Sequence, residues 1–172
     1  MIRVEAGELA TMSAEAILRP VASDWSAVTP AMRKLELAVG SALAERLQAL
    51  GELPVGSAVI TDAGDLEAEF LIHAVVRSRE EEVSMQTARA AMRNGIRRAV
   101  EFGIETLHCA PIGLGAGNLS LEECAEAMAA EIAAHEEGAE GDDGPVPPGE
   151  FVIVVDSELA REVFEGVFRG RG

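Results

Sequence analysis

Residues 110–119 form a glycine-rich segment with the sequence APIGLGAGNL, the stretch of this chain best suited to bind a ligand. The glycines at 113, 115 and 117 have no Cβ, so neighbouring backbone N–H groups can converge on one bound group. The apolar run at 106–109 predicts a buried strand before it, and Ser120 is suited to cap a helix that follows it to about His135. The start of a helix adds partial positive charge. The segment therefore predicts a phosphate or pyrophosphate site, with a tight turn that binds nothing as the alternative.

No pattern of reactive side chains elsewhere in the sequence predicts a metal site or a catalytic site. The three histidines, at 73, 108 and 135, lack the spacing of metal ligands, so neither a metal nor a cofactor is expected. Cys109 and Cys124 are interpreted as small buried apolar residues. His73 lies inside an apolar run, which favours a buried structural histidine over a catalytic one.

Composition limits the classes of partner. The chain has 172 residues, enough for one domain, and 14 basic against 30 acidic residues give a formal net charge of −16. Nucleic acids and anionic membranes are not expected as partners because both require a basic surface. No signal peptide or membrane-spanning run is visible, which favours a cytoplasmic protein.

Strands and helices are predicted to alternate along the chain. Strands are predicted near 1–5, 15–20, 56–61, 70–76, 106–109 and 151–155, with Pro20 ending the second of them. Helices are predicted over 31–50, from Ser84 to about Gly103, over 120–135 and from Ser157 onward. This alternation indicates an α/β protein with a largely parallel sheet.

Residues 136–150 differ in composition from the rest of the single domain that is expected over 1–172. They are rich in Glu, Asp, Gly and Pro and contain no basic residue. Such a segment buries too little apolar surface to order itself, so a mobile acidic surface insertion is predicted.

The order of these elements, together with several short motifs, resembles the macro domain, an α/β module that binds ADP-ribose. The matching segments are Gly7-Glu8-Leu9, EAIL at 15–18, GSAVITDAG at 56–64, IHAV at 72–75, and PIGLGAG at 111–117 followed by LEECA at 121–125. The resemblance covers nearly the whole chain. It implies a three-layer α/β/α fold with a mixed, largely parallel central sheet.

The resemblance also implies ligand contacts. Glu8 stands where the family has an aspartate that pairs with the adenine amino group, and the glycine-rich segment stands where the family binds phosphate. The implied ligand-binding residues are Glu8, Ile112, Gly113, Leu114, Gly115, Ala116, Gly117 and Asn118. The implied partner is ADP-ribose or a related nucleotide.

The chain departs from the family pattern at the other end of the expected cleft. Ala22 replaces an asparagine that binds the distal ribose, and Thr29 stands where hydrolytic members carry an acid. A second glycine loop of the family is replaced by a segment with side chains. Its possible cleft-lining residues are Ala22, Trp25, Val28 and Thr29, and Asp24 is the remaining candidate for a catalytic acid.

Three functional hypotheses follow. The first is a module that binds ADP-ribose or a related nucleotide diphosphate through 111–119. The second is a hydrolase acting on ADP-ribosyl bonds or O-acetyl-ADP-ribose, with Asp24 as its acid. The third is a degenerate fold kept for protein interaction, which Trp25 or Arg19 filling the cleft would favour.

Overall fold

The structure is a computed structural model that describes residues 1–115, 118–141 and 144–171. Its strands are β1 (Ile2–Ala6), β2 (Ala14–Ala22), β3 (Ala58–Asp62), β4 (Ala68–Arg77), β5 (Thr106–Cys109), β6 (Glu140–Gly141), β7 (Gly144–Pro145) and β8 (Glu150–Val155). Its helices are α1 (Pro30–Val39), α2 (Ser41–Ala49), α3 (Met85–Glu101), α4 (Leu121–Gly138) and α5 (Glu158–Arg171), with a 3₁₀ turn at Leu9–Thr11.

Six strands form one mixed sheet in the order β1-β8-β5-β2-β4-β3. The neighbouring strands are parallel except β3, which runs antiparallel to β4. The carboxyl ends of β1, β8, β5, β2 and β4 therefore meet at one edge of the sheet. This confirms the predicted α/β class with a largely parallel sheet.

Helices cover both faces of the sheet. Adjacent residues of β2 point to opposite faces: the Leu18 side chain packs against Gly95 of α3, while Arg19 borders a small cavity beside Glu36 of α1 and Leu47 of α2. Helices α3, α4 and α5 pack side by side in one layer. The result is the three-layer arrangement that the family resemblance implies. None of the helices among the described residues is long and apolar enough to cross a membrane.

The single helix predicted over 31–50 is wrong, because two helices meet at Gly40. Gly40 has a φ of 94°, in the left-handed region that glycine adopts without steric cost. The break frees the Val39 carbonyl, which accepts a hydrogen bond of 2.9 Å from Asp65 N. This hydrogen bond to the β3–β4 turn stabilises the break between the two helices. The apolar periodicity of the sequence nevertheless continues across it.

The strand predicted to stop at Pro20 continues to Ala22. Leu18 O faces β5, where it accepts from Ala110 N at 3.0 Å. The backbone nitrogen of Pro20, two residues further along β2, also faces the β5 side. Pro20 lies beyond the last residue of β2 that pairs with β5. Its missing N–H therefore costs no bond to that neighbouring strand.

The acidic segment at 136–150 contains regular structure in its described part. Helix α4 continues to Gly138, β6 pairs with β7 in a two-stranded ribbon, and Glu150 begins β8. The ring of His135 hydrogen-bonds the Pro148 carbonyl at 3.0 Å. These contacts connect the ends of the segment to the domain.

Candidate functional site

A cleft opens at the edge of the sheet where the parallel strands end. Its floor and sides come from the ends of β1, β5 and β8 and from the first turn of α1. The lining residues are Gly7, Glu8, Leu9, Ala10, Thr29, Pro30, Ala31, Met32, Lys34, Ala110, Pro111, Leu114, Val154, Val155, Asp156 and Ala160. This is the edge at which parallel α/β sheets bind ligands.

Most of the cleft wall is apolar, and its polar groups lie at the mouth. Leu9 and Met32 are buried beneath it. At the mouth, Glu8 Oε1 lies 3.0 Å from Lys34 Nζ, with the two side chains 57% and 67% exposed. An apolar slot with a polar rim suits a planar ring that carries hydrogen-bonding groups on one edge.

Two sulfur atoms of α4 hold the start of the glycine-rich segment. Ile112 N donates to Met128 Sδ at 3.4 Å, and Ile112 O accepts from Cys124 Sγ at 2.9 Å. The Ile112 side chain is fully buried. Ile112 therefore positions the segment, and its side chain cannot contact a ligand in the cleft.

The glycine-rich segment requires glycine at 113 and at 115. Gly113 has a φ of 97° and Gly115 a φ of 149°. A Cβ at Gly113 would lie 2.8 Å from Leu119 Cδ1, and one at Gly115 would lie 3.1 Å from Val28 O. Leu119 N closes the turn by donating to Gly113 O at 3.2 Å. Ala116 and Gly117, two of the expected phosphate contacts, lie outside the described residues.

A second, polar groove adjoins the glycine-rich segment, because Asn118 lines it and lies beside Gly115. It is lined by Ala22, Ser23, Asp24, Ser26, Arg77, Ser78, Arg79, Glu82, Val83 and Asn118. The residues expected at one site are thus divided: Glu8, Leu114 and Thr29 line the cleft, whereas Ala22, Asp24 and Asn118 line the groove.

Asp24 is held as an ionised carboxylate. Its Oδ1 accepts hydrogen bonds from Ser26 Oγ at 2.6 Å and from Ser26 N at 3.0 Å. These bonds lower the pKa of the Asp24 carboxyl below its usual value, and the charge of Arg79 acts in the same direction. A general acid requires the opposite shift.

Thr29 caps helix α1. Its Oγ1 accepts from Met32 N at 3.2 Å, so it stabilises the first turn of α1 beside the cleft. Thr29 also lines the cleft, at the position where the family resemblance implies an acid.

Trp25 lies in the core and not in the cleft, which differs from the expectation. Its backbone φ of 74° turns the side chain inward. The indole Nε1–H donates to Gly51 O at 2.9 Å, and the ring packs edge-on against His73 at 5.3 Å. The indole buries its apolar surface without leaving its donor unpaired.

Arg19 is also directed away from the cleft. Its Nε donates to His73 Nδ1 at 2.9 Å, and His73 Nε2 lies 2.9 Å from Thr61 Oγ1. Because arginine can only donate, Nδ1 carries no proton, and His73 donates through Nε2–H to Thr61. Burial lowers the pKa of His73 well below its ordinary value, with the Arg19 charge adding to the effect. Burial also lowers the pKa of Arg19 to about 10, so the guanidinium stays charged at neutral pH.

Replacing His73 with glutamine is expected to flatten the fall in stability between about pH 6.5 and pH 5. The unfolded chain takes up a proton on this histidine below about pH 6.5, whereas folded His73 stays neutral. The free energy of unfolding therefore decreases as the pH is lowered below about 6.5, by up to about 1.4 kcal/mol per pH unit for this group. Glutamine keeps an acceptor for Arg19 without titrating. Urea denaturation across this pH range measures the slope, and an identical slope in His73→Gln would contradict the assignment.

Sequence reasoning missed Lys34 and Asp156, which both line the cleft. Lys34 is the only lysine of the chain, and it lies one helical turn after Pro30. Lys34 therefore lies on the same face of α1 as Pro30. This position on α1 is a weak signal, because no motif contains Lys34 and its approach to Glu8 depends on how α1 packs beside β1.

Comparison with known proteins identifies relatives of this fold. A family model described as Macro domain matches residues 31–128. An uncharacterized protein of Aeropyrum pernix is 36% identical over 135 residues, which cover 77% of this chain and 71% of that protein. An uncharacterized protein of Mycobacterium tuberculosis is 32% identical over 85 residues, which cover 49% of this chain and 24% of that protein. The chain therefore spans about a quarter of the length of the mycobacterial relative.

Solved structures also match over nearly the whole chain. A mutant macrodomain of Oceanobacillus iheyensis with ADPR has a TM-score of 0.82 at 17% identity, covering 98% of this chain and 91% of its own. A Trypanosoma brucei macrodomain in complex with ADP has a TM-score of 0.80 at 14% identity, covering 96% and 68%. At these identities the likeness establishes the fold.

Proposed function

Since this chain belongs to the macro domain family, we propose that it binds ADP-ribose or a related nucleotide diphosphate. The observation that carries the proposal is the apolar cleft at the carboxyl edge of the sheet, bordered by Glu8 on one side and Leu114 of the glycine-rich segment on the other. Macrodomains of the same fold have been solved with ADPR and with ADP, which supports this class of ligand.

The base and the diphosphate of such a ligand would occupy different parts of the cleft. The base would lie between the apolar side chains, with its polar edge toward Glu8. The diphosphate would lie against the backbone at 113–115, where left-handed glycines allow close approach. Since this chain is strongly acidic, backbone N–H groups would have to bind the phosphates in place of a lysine cluster.

The groove beside the glycine-rich segment would receive the distal end of the ligand. A hydrolase would need a group there to deprotonate water or to protonate a leaving group. Asp24 is ionised and so has no proton to donate, its bonds to Ser26 and its lowered pKa make it a weak base, and the Ala22 side chain has no polar atom. These contacts support binding over hydrolysis as the function of the site.

Titration calorimetry with ADP-ribose tests the proposal. We expect saturable binding to the full chain, and we expect Leu114→Asp to weaken it at least about tenfold, because a carboxylate beside the diphosphate is repulsive. Leu37→Asp is the matched control, since Leu37 is 73% exposed on α1 and outside the cleft. Absence of heat at millimolar ligand would contradict binding. Equal affinity in Leu114→Asp would contradict this location.

Asp24→Ala tests the hydrolase alternative. Turnover of an ADP-ribosylated substrate by the unmodified chain, lost in Asp24→Ala, would favour hydrolysis. Absence of turnover, or turnover unchanged by the substitution, would reject it.

A further inference from the structure

We propose that Lys34 is a specificity-determining residue that donates to the adenine ring nitrogen beside the amino group, next to Glu8, whose pairing with that amino group is part of the proposed function. This inference rests on the proposed function, because it concerns the base of the bound nucleotide. Glu8 would accept from the amino group, and Lys34 would donate to the ring nitrogen.

The location of Lys34 is not explained by stability. Its ion pair with Glu8 joins the end of β1 to α1 across the mouth of the cleft, and both side chains are more than half exposed. Exposed ion pairs of this kind contribute little to folding. The only lysine of the chain thus lies where it can reach a ligand.

The chemistry of the pair matches one edge of adenine. A carboxylate oxygen and an ammonium 3.0 Å apart present an acceptor beside a donor. The amide of asparagine or glutamine presents the same combination when it reads the N6 amino group and N7 of adenine. A 6-oxopurine offers two acceptors, O6 and N7, at that edge. Glu8 would then face an oxygen with no proton to share, which disfavours such a base.

Charge favours the same role. Glu8 and Asp156 both line the cleft, and the proposed ligand brings further negative charge. Among the described residues that line the cleft, Lys34 is the cation. Its ammonium would offset part of this repulsion while it donates to the base.

Calorimetry on the full chain with four nucleotides tests the proposal. The ligands are ADP, IDP, 1-deaza-ADP and 7-deaza-ADP, and the proteins are the unmodified chain, Lys34→Met and, as control, Arg33→Met. Arg33 is exposed on the same helix and is not among the described residues that line the cleft. Thermal denaturation of each variant checks that it is folded.

We expect ADP to bind the unmodified chain at least about tenfold more tightly than IDP, and Lys34→Met to weaken ADP binding by about 5- to 20-fold. The loss should disappear with one of the two deaza analogues, because the acceptor for Lys34 is then absent. Arg33→Met should bind like the unmodified chain.

The possible failures are distinct. Failure of the unmodified chain to bind either ADP or ADP-ribose overturns the proposed function itself. Binding of ADP that Lys34→Met leaves unchanged, or a loss that persists with both analogues, overturns the role of Lys34 alone. Equal affinity for ADP and IDP overturns the pairing of Glu8 with the amino group, on which the role of Lys34 rests.

Discussion

Gly113→Ala is expected to lower the free energy of unfolding by about 2–4 kcal/mol and to weaken ADP-ribose binding strongly. The φ of 97° at Gly113 is costly for any residue with a Cβ, by about 1–2 kcal/mol. The new methyl group would also lie 2.8 Å from Leu119 Cδ1 and 3.2 Å from Ala88 Cβ, and overpacking adds about 1–3 kcal/mol. Relief requires the Leu119 side chain, which is buried, to turn away.

Two other glycines separate the contributions. Gly103 has a φ of 65° with nothing within 4 Å of its missing Cβ, so Gly103→Ala measures backbone strain alone, at about 1 kcal/mol. Gly166 lies inside α5 with open space around it, and Gly166→Ala should be neutral or stabilising. Urea denaturation gives the three values, and calorimetry gives the affinity. An equal loss of unfolding free energy in Gly113→Ala and Gly103→Ala would show that Leu119 and Ala88 move aside at no energetic cost.

His73→Phe should destabilise the fold by about 2–4 kcal/mol. It removes the acceptor of Arg19 Nε, and Arg19 is 2% exposed. A buried cation without its partner costs several kcal/mol, more than the net value of the bond it lost. Phenylalanine keeps the aromatic contact with Trp25, so packing changes little.

The double variant provides the control. In Arg19→Met with His73→Phe neither partner of the hydrogen bond remains, so no buried cation is left without its acceptor, and most of the loss should be recovered. Chemical denaturation of the unmodified chain, Arg19→Met, His73→Phe and the double variant gives the coupling free energy between the two residues. Additive effects of the two substitutions would contradict a direct bond between Arg19 and His73.

The fold could be predicted because the sequence patterns that indicate it are local and recur along the chain. The glycine-rich segment between a strand and a capped helix, the apolar run at 70–76 and the alternation of elements identified an α/β protein, and the family resemblance is confirmed. The break at Gly40 was not visible, since its cause is a carbonyl of Val39 that bonds the distant Asp65. The continuation of β2 past Pro20 likewise depends on where β5 ends.

The candidate site could be predicted in part. Glu8 and Leu114 were found because their neighbours resemble the family, and the structure places both in one cleft. The place of Trp25 in the chain predicts a residue that lines the cleft, but a left-handed backbone turns it into the core. Lys34 was overlooked because no motif contains it, and only the packing of α1 beside the end of β1 brings it to Glu8.

The sulfur contacts beneath the glycine-rich segment have a consequence for chemical probing. The Cys124 thiol that bonds Ile112 is buried, and burial raises its pKa to about 12. Only the thiolate reacts with alkylating reagents, so the closed state is inert to them. Labelling of Cys124 would then require the segment to separate from α4. At low reagent concentration, where labelling is slower than reclosing, its rate therefore measures the equilibrium population of the open segment, without any ligand present.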